Sequence, residues 1–92
     1  MGVCEVKARK GLIRAKVSVY KGRIVEASIT GDFLISPEEA VFTAEERLTG
    51  LEATEDAVRK VVSEALSAVQ IVGATLDDFV DALLCAMRGE TT

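Results

Sequence analysis

Two cysteines are the residues with the most obvious chemical potential in this chain of 92 residues, which has no histidine. Cys4 and Cys85 lie near opposite ends, without the CxxC or Cys/His spacing that a structural zinc site needs. Alternation along the first strand predicts that Cys4 points inward. Helical periodicity predicts Cys85 on the outer face of the last helix, near Asp81 and far from the helix N-terminus or cation cluster that would activate a thiolate. We therefore predict that neither cysteine is a nucleophile and that the chain holds no metal.

The fifteen carboxylates are the remaining candidates for acid–base chemistry. Each can be assigned to a helix cap, a first helical turn or a solvent face, so the pattern predicts no catalytic residue. The sequence also lacks the GxxxxGK[ST] and GxGxxG loops that cradle phosphates. Tyr20 is the one ring that could stack on a base beside the basic strands, which argues against nucleic acid as a partner.

Charge is divided unevenly along the chain. Residues 1–31 carry seven basic and two acidic side chains, a net charge of +5, whereas residues 32–92 carry four and thirteen, a net charge of −9. This division fits two interpretations. The basic half could steer a charged partner to one side of the protein, or it could simply be a solvated sheet face. The longest uncharged stretch, residues 65–76, is far shorter than the about 20 apolar residues of a membrane span. With no secretory signal pattern, we expect no membrane association and a cytoplasmic location.

Three alternating apolar runs in the first half predict three half-buried strands. A three-residue loop at residues 20–22 would place Val17 opposite Val25 and Ile13 opposite Ile29, with Gly11 opposite Gly31. A two-residue loop would instead place Val17 opposite Glu26 and invert the faces, so we reject it. The inward residues listed in chain order are Cys4, Val6, Ala8, Ile13, Ala15, Val17, Val19, Val25, Ala27 and Ile29.

The second half predicts three helices, each with a start or stop signal. Ser36 as N-cap, with Glu39 completing a capping box, predicts a helix over residues 37–48. Thr54 predicts the N-terminus of a central helix that ends before Gly73, and a capping box opened by Thr75 predicts a last helix that ends at Gly89. The fold class is therefore α+β, a three-stranded antiparallel sheet (residues 1–35) followed by three helices packed on one face (residues 36–89). Residues 90–92 would be a frayed tail of this single domain.

Several short motifs together resemble the accessory C-terminal domain of lipoate-protein ligases. The most specific is the passage from strand to helix, Ile29-Thr30-Gly31-Asp32-Phe33, with Pro37-Glu38-Glu39 soon after. The other matching segments are Lys10-Gly11-Leu12-Ile13-Arg14, Val17-Ser18-Val19, Gly22, Ile24 and Leu48-Thr49-Gly50. In that family the domain is either fused to the catalytic domain or made as a separate small subunit, and this chain resembles the separate form.

The resemblance implies a role without catalysis by this chain alone. In such ligases the catalytic subunit binds lipoate and ATP with magnesium, forms lipoyl-adenylate, and transfers the lipoyl group to a lysine of an acceptor domain. The Arg-Arg-x-x-Gly-Gly-Gly type of lipoate-binding motif is absent here. We therefore expect a required non-catalytic subunit that binds no cofactor itself, contacts the catalytic subunit, and serves the lipoyl-acceptor domain indirectly.

The predicted register brings two distant motifs together at one end of the hairpin, and we call the result the junction surface. It consists of Lys10, Gly11, Leu12, Arg14, Gly31, Asp32 and Phe33. Lys10 or Arg14 could meet an acidic patch of the catalytic subunit or the phosphates of ATP, with Phe33 as an apolar anchor. Equally, Phe33 could fill the core and Asp32 could cap a turn.

Two alternatives from other classes fit parts of the sequence. A sulfur-acceptor or iron–sulfur scaffold protein also combines a small antiparallel sheet with helices. Such a protein needs an exposed reactive cysteine, and in this chain Cys85 would have to take that role. A free-standing homodimer could self-associate through the sheet edge or through the outer face of the last helix, including Ala82, Cys85 and Ala86.

Overall fold

The computed structural model describes residues 2–90, with Glu90 described by its backbone alone. The elements in chain order are β1 (Gly2–Ala8), β2 (Gly11–Tyr20), β3 (Arg23–Gly31), β4 (Leu34–Ser36), α1 (Glu39–Leu48), α2 (Glu55–Leu66), β5 (Gln70–Val72) and α3 (Leu76–Glu90). β1, β2 and β3 form an antiparallel sheet in that order. The predicted α+β class, with three strands followed by three helices, is confirmed.

The helices cover one face of the three-stranded sheet. α3 packs on β1 and β2, α1 packs on β3, and α2 packs against α1 and α3. The sheet contributes Ile13, Ala15 and Val17 to the core, all of them fully buried, and α3 contributes Phe79 and Leu83. The other face of the sheet stays open, because the alternate residues of β2 from Leu12 to Lys16 are exposed.

A second, two-stranded sheet was not predicted. β4 pairs antiparallel with β5, with Ile35 opposite Ile71. Each strand has three residues, too few to show an alternating pattern, and residues 70–72 looked like the end of a helix that in fact stops at Leu66. The small sheet contacts α1 through β4.

The predicted start of the first helix is wrong. Ser36 lies in β4, opposite Gln70, so it does not cap α1, and no box forms with Glu39. α1 begins at Glu39 after Glu38, whose backbone is already helical, and no described side chain caps this end. The motif had the right residues for a cap, but pairing with β5 takes Ser36 away from the helix.

The other two helix starts are confirmed. The Thr54 hydroxyl accepts a hydrogen bond from the Ala57 N–H at 3.3 Å. Thr75 and Asp78 form the predicted reciprocal box, with the Asp78 carboxylate accepting from the Thr75 N–H at 2.9 Å and the Thr75 hydroxyl accepting from the Asp78 N–H at 3.2 Å. α3 continues through Gly89 to Glu90, so Gly89 does not end it, and residues 91–92 of the predicted tail lie outside the described residues.

The predicted pairing of β2 with β3 is wrong by two residues. Tyr20 pairs with Arg23 across a two-residue turn of Lys21 and Gly22, which have φ of 53° and 78°. Positive φ at both positions is typical of the tight type I′ turn. The register shifts between Ser18 and Val19, so that Val17 faces Ala27, Ala15 faces Ile29, and Ile13 faces Gly31.

A bulge at Val25 explains how the rejected two-residue turn keeps the apolar face intact. Val19 pairs with Ile24, while Ser18 pairs with Glu26, which leaves Val25 as the extra residue. Ile24 therefore points inward and is 1% exposed, whereas Val25, expected in the core, is 50% exposed. The extra residue restores the parity that a plain two-residue turn would have inverted.

The two cysteines are joined in a disulfide between β1 and α3, with their Cα atoms 5.8 Å apart. Cys85 therefore faces the sheet, and its predicted place on an outer helix face is wrong. Ala82 and Ala86, expected on that outer face, are fully buried, because α3 is enclosed by the sheet and by α2. Helical periodicity finds the most apolar stripe of a helix, but it does not show that small residues of other stripes are covered as well.

Candidate functional site

The junction surface forms around a close approach of the two motifs that the sequence brought together. Asp32 N–H donates to the Leu12 carbonyl at 2.9 Å, and Leu12 N–H donates to the Asp32 carboxylate at 3.4 Å. Leu12 thus lies opposite Asp32, and Ile13, not Gly11, lies opposite Gly31. The predicted facing of Gly11 and Gly31 is wrong, although the motifs do meet.

Both glycines of the junction lie where a side chain has no room. A Cβ on Gly31, which has φ of 152°, would overlap the Leu12 carbonyl oxygen and come within 2.9 Å of the Ile13 Cα. A Cβ on Gly11 would overlap the Asp32 side chain. Glycine at these two positions therefore allows the end of β3 and its Asp32 to lie directly on β2.

Lys10 connects the junction to a third segment that sequence reasoning missed. Its backbone N–H donates to the Gly73 carbonyl at 3.2 Å, just after β5. A Cβ on Gly73 would lie 3.3 Å from both the Asp32 carbonyl oxygen and the Lys10 Cβ, so the three residues are in close contact. The corner before α3 thus packs against the junction. This contact joins loops that are distant in sequence, and no local pattern indicates it.

The structure places the seven residues of the junction surface on two sides of the sheet. Leu12, Arg14 and Asp32 are exposed. In the strand register Arg14 lies opposite Glu5 of β1 and Thr30 of β3, on the open face of the sheet. Phe33 is half-buried on the helix side, where its ring meets that of Phe79 edge to face with centroids 4.8 Å apart. Gly11 and Gly31 pair with the buried Ala8 and Ile13, at the alternate positions that face the helices. Lys10 lies in the turn between β1 and β2, beside the buried Gly73.

A second surface, beside the first, was missed at the sequence level. Two adjoining open cavities of about 380 and 320 Å³ follow the seam between β3 and α1, and Phe42 lines both. We call this seam the β3–α1 groove and define it by Ala27, Ile29, Gly31, Leu34, Phe42 and Glu45. Phe42 is 63% exposed and Leu34 is 71% exposed. The available signal was the position of Phe42 outside the apolar stripe of α1, since a large ring off that stripe is expected to face solvent.

Residues 2–90 hold no group of three or more histidine, cysteine or acidic side chains placed to bind a metal ion. Both cysteines of this range are in the disulfide. None of the helices described is both long and apolar enough to cross a membrane.

Comparison with known families decides which proteins this chain resembles. Residues 4–83 match the model of the family described as bacterial lipoate protein ligase C-terminus. The chain belongs to this family. The match begins in β1 and ends in α3, so the lipoate protein ligase C-terminus assignment covers both layers of the fold.

One sequence comparison and one structural comparison, both with Thermoplasma acidophilum, show how much of the chain is similar to a known ligase subunit or structure. The chain is 34% identical over 79 residues to lipoate-protein ligase A subunit 2, an alignment that covers 84% of this chain and 81% of that protein. Its fold matches a chain in the solved structure of an archaeal lipoylation system, described as a bipartite lipoate protein ligase and its E2 lipoyl domain. That match has a TM-score of 0.80 and 29% identity, and it covers 88% of this chain and 91% of the other.

Proposed function

We propose that this chain is the non-catalytic small subunit of a bipartite lipoate-protein ligase. With its catalytic subunit it would be required for ATP-dependent activation of lipoate to lipoyl-adenylate, before transfer to a lysine of an acceptor protein. The observation that carries the proposal is the match to a subunit of such a ligase over most of both chains. The description of the solved relative as bipartite supports a division of labour between two chains.

The described residues favour a supporting role over a catalytic one. Lipoate, ATP and magnesium are assigned to the catalytic subunit in this proposal, because residues 2–90 show no cluster of metal-ligating side chains and no phosphate-binding loop. A docked domain can exclude water from an acyl-adenylate site and hold mobile loops over it. Such a role needs a surface of defined shape, and the close packing of Gly31 on the β2 backbone supports this proposal.

We propose that the junction surface takes part in subunit contact. Lys10, Leu12 and Arg14 have exposed side chains that a partner can reach. The two cations could meet an acidic patch of the catalytic subunit or approach the phosphates of its bound ATP. Asp32 and Phe33 already contact Leu12 and Phe79 within this chain, so changes at these two positions also alter the fold.

A cytoplasmic site of action is part of the proposal, because the activation step consumes ATP. Disulfides are uncommon in the cytosol outside hyperthermophiles, so the bond between Cys4 and Cys85 would be an exception to the usual pattern there. The same bond removes the free thiol that a sulfur-acceptor role would use, and we do not carry that alternative further.

The decisive experiment compares lipoyl-adenylate formation by the catalytic subunit with and without this chain. We expect adenylate to form from lipoate and ATP only when both chains are present. Adenylate formation by the catalytic subunit alone at the same rate would contradict the proposal.

Substitutions separate an interface role of the junction surface from a structural one. Arg14→Ala should weaken binding to the catalytic subunit about tenfold without a change in melting temperature, because Arg14 is exposed on the open face. Lys60→Ala, an equally exposed cation on α2, is the matched control and should leave binding unchanged. For Asp32→Ala, a lower melting temperature with normal binding of the folded protein would assign Asp32 to the fold alone.

A further inference from the structure

β3 is one of the two edge strands of the three-stranded sheet, and its pairing shows which of its backbone groups face the free edge. Asp32 N–H donates to the Leu12 carbonyl, so Leu12 and Asp32 form a hydrogen-bonded pair. From this pair back along β3, non-hydrogen-bonded and hydrogen-bonded pairs alternate. Ala27, Ile29 and Gly31 are therefore in unbonded pairs and turn their N–H and C=O groups outward. The Ile29 N–H agrees with this assignment, since it donates to the Glu45 carboxylate of α1 at 2.7 Å.

The start of this edge is covered by the segment that follows α1. Ile24 N–H donates to the Leu51 carbonyl at 2.8 Å and Gly50 N–H donates to the Ile24 carbonyl at 2.6 Å. Ala53 N–H donates to the Gly22 carbonyl at 2.9 Å. Sheet edges are usually covered, shortened or charged, because open edges pair with other chains. Here the cover ends before Ala27, and Glu45 takes up one outward group of the remaining edge.

Large apolar side chains lie along the uncovered part of the edge. Phe42, Leu34 and Val25 are 63%, 71% and 50% exposed. Three of them within one seam form a patch of the kind that marks interaction sites on folded proteins. Gly31 lines one of the two cavities that Phe42 lines, and Ala27 lines the other.

Carboxylates surround this patch and indicate the charge of its occupant. Glu26 and Glu46 line one of the two cavities, and Glu38 lines the other. All three side chains are exposed, and none is in an ion pair between described residues. A segment with basic side chains would neutralise them, whereas an acidic one would be repelled.

On the basis of the proposed function, we propose that the β3–α1 groove receives an extended segment of the catalytic subunit as an added strand. The segment would bond to the outward groups of Ala27 and Gly31 and to the Ile29 carbonyl, because the Ile29 N–H is already bonded to Glu45. It would place apolar side chains against Phe42 and direct basic side chains to the surrounding carboxylates. Addition of a strand to an open edge draws affinity from main-chain hydrogen bonds and specificity from the side-chain contacts. The groove lies on the helix side of β3, so it adds to the junction surface, with which it shares Gly31.

The first test measures the affinity of the catalytic subunit for variants of the full chain. Phe42→Ala should weaken binding at least tenfold, because the ring is the largest apolar group of the groove. Tyr20→Ala is the matched control, since its ring is 64% exposed at the end of β2 and away from the groove, and it should change affinity less than twofold. Melting temperatures of both variants should equal that of the unmodified chain.

The second test is amide hydrogen exchange of the chain, free and in the complex. The amides of Ala27 and Gly31 should exchange fast in the free chain and be at least tenfold slower in the complex. The Ile29 amide, already bonded to Glu45, should be slow in the free chain.

The possible results distinguish a failure of the proposed function from a failure of the added-strand proposal. Absence of binding by the unmodified chain would overturn both the proposed function and this inference. Normal binding by Phe42→Ala, with unchanged exchange at Ala27 and Gly31, would overturn this inference alone. Slow exchange at Ala27 and Gly31 in a dimer of the isolated chain would show that a second copy occupies the groove, and would also overturn it.

Discussion

At the scale of single residues, Gly31 shows how closely the two motifs of the junction surface are packed. Its φ of 152° and the β2 backbone, which occupies the position of a Cβ, leave no room for a side chain. This close packing brings the Asp32 carboxylate to the Leu12 N–H, from which it accepts a hydrogen bond at 3.4 Å. A residue that carries no side chain thus determines where a charged one lies.

We predict that Gly31→Ala destabilises the protein by about 2–3 kcal/mol, the upper part of the range of about 1–3 kcal/mol for a strained backbone position. The added Cβ would overlap the Leu12 carbonyl oxygen, so β3 would have to separate from β2. Gly22→Ala is the control, because its Cβ would meet no atom within 4 Å and only its φ of 78° opposes the change, at about 1 kcal/mol. Equal losses in the free energy of unfolding, measured with denaturant, would contradict this account.

At the scale of elements, α1 does more than cover the core. Its buried side chains, Ala40, Ala44 and Leu48, face the sheet, while Glu45 reaches the edge of β3 and accepts the Ile29 N–H. Phe42 on the same helix lines the groove beside that edge. α1 therefore covers the core, accepts the outward N–H of Ile29, and places an apolar side chain next to the outward backbone groups of Ala27 and Gly31.

We predict that Glu45→Ala lowers the free energy of unfolding by about 1–3 kcal/mol, because the part-buried Ile29 N–H loses its acceptor. Glu46→Ala removes the neighbouring, exposed carboxylate and should change stability by less than about 0.5 kcal/mol. Denaturant unfolding of the two variants provides the comparison. A loss for Glu46→Ala as large as that for Glu45→Ala would show that charge, rather than the hydrogen bond, is responsible.

At the scale of the whole molecule, the disulfide links the first strand to the last helix. Cys4 and Cys85 are 81 residues apart in sequence, so the bond encloses nearly the whole described chain. It holds α3 on β1, in the layer where Phe79, Ala82 and Ala86 are buried. A bond that closes so large a loop restricts the unfolded chain far more than it restricts the folded one.

We predict that reduction of this disulfide lowers the free energy of unfolding by about 4–5 kcal/mol, the chain-entropy value for a loop of this size. Unfolding curves with and without a thiol reductant measure the effect. The double variant Cys4→Ala, Cys85→Ala should unfold like the reduced protein and should not respond to reductant. An unmodified chain whose stability is independent of reductant would contradict the prediction.

Local patterns in the sequence were sufficient where one segment decides its own structure. Alternation predicted β1 and β2, and the Thr54 cap and the box of Thr75 and Asp78 predicted two helix starts, because each depends on residues three or fewer positions apart. The charge division and the family motifs likewise needed only the order of residues. The pairing of β2 with β3 failed at Val25, because a bulge leaves no mark in the alternation of either strand.

The sequence by itself determined the α+β class, the two capped helices and the family, since these depend on periodicity, caps and short motifs. Only the tertiary structure decided that Cys4 meets Cys85, that Ser36 joins β4 instead of capping α1, and that Gly73 supports Lys10. It also decided that the edge of β3 is covered at Ile24 and open at Ala27. The physical reason is that these features are contacts between segments distant in sequence, and their geometry depends on how the helices pack on the sheet.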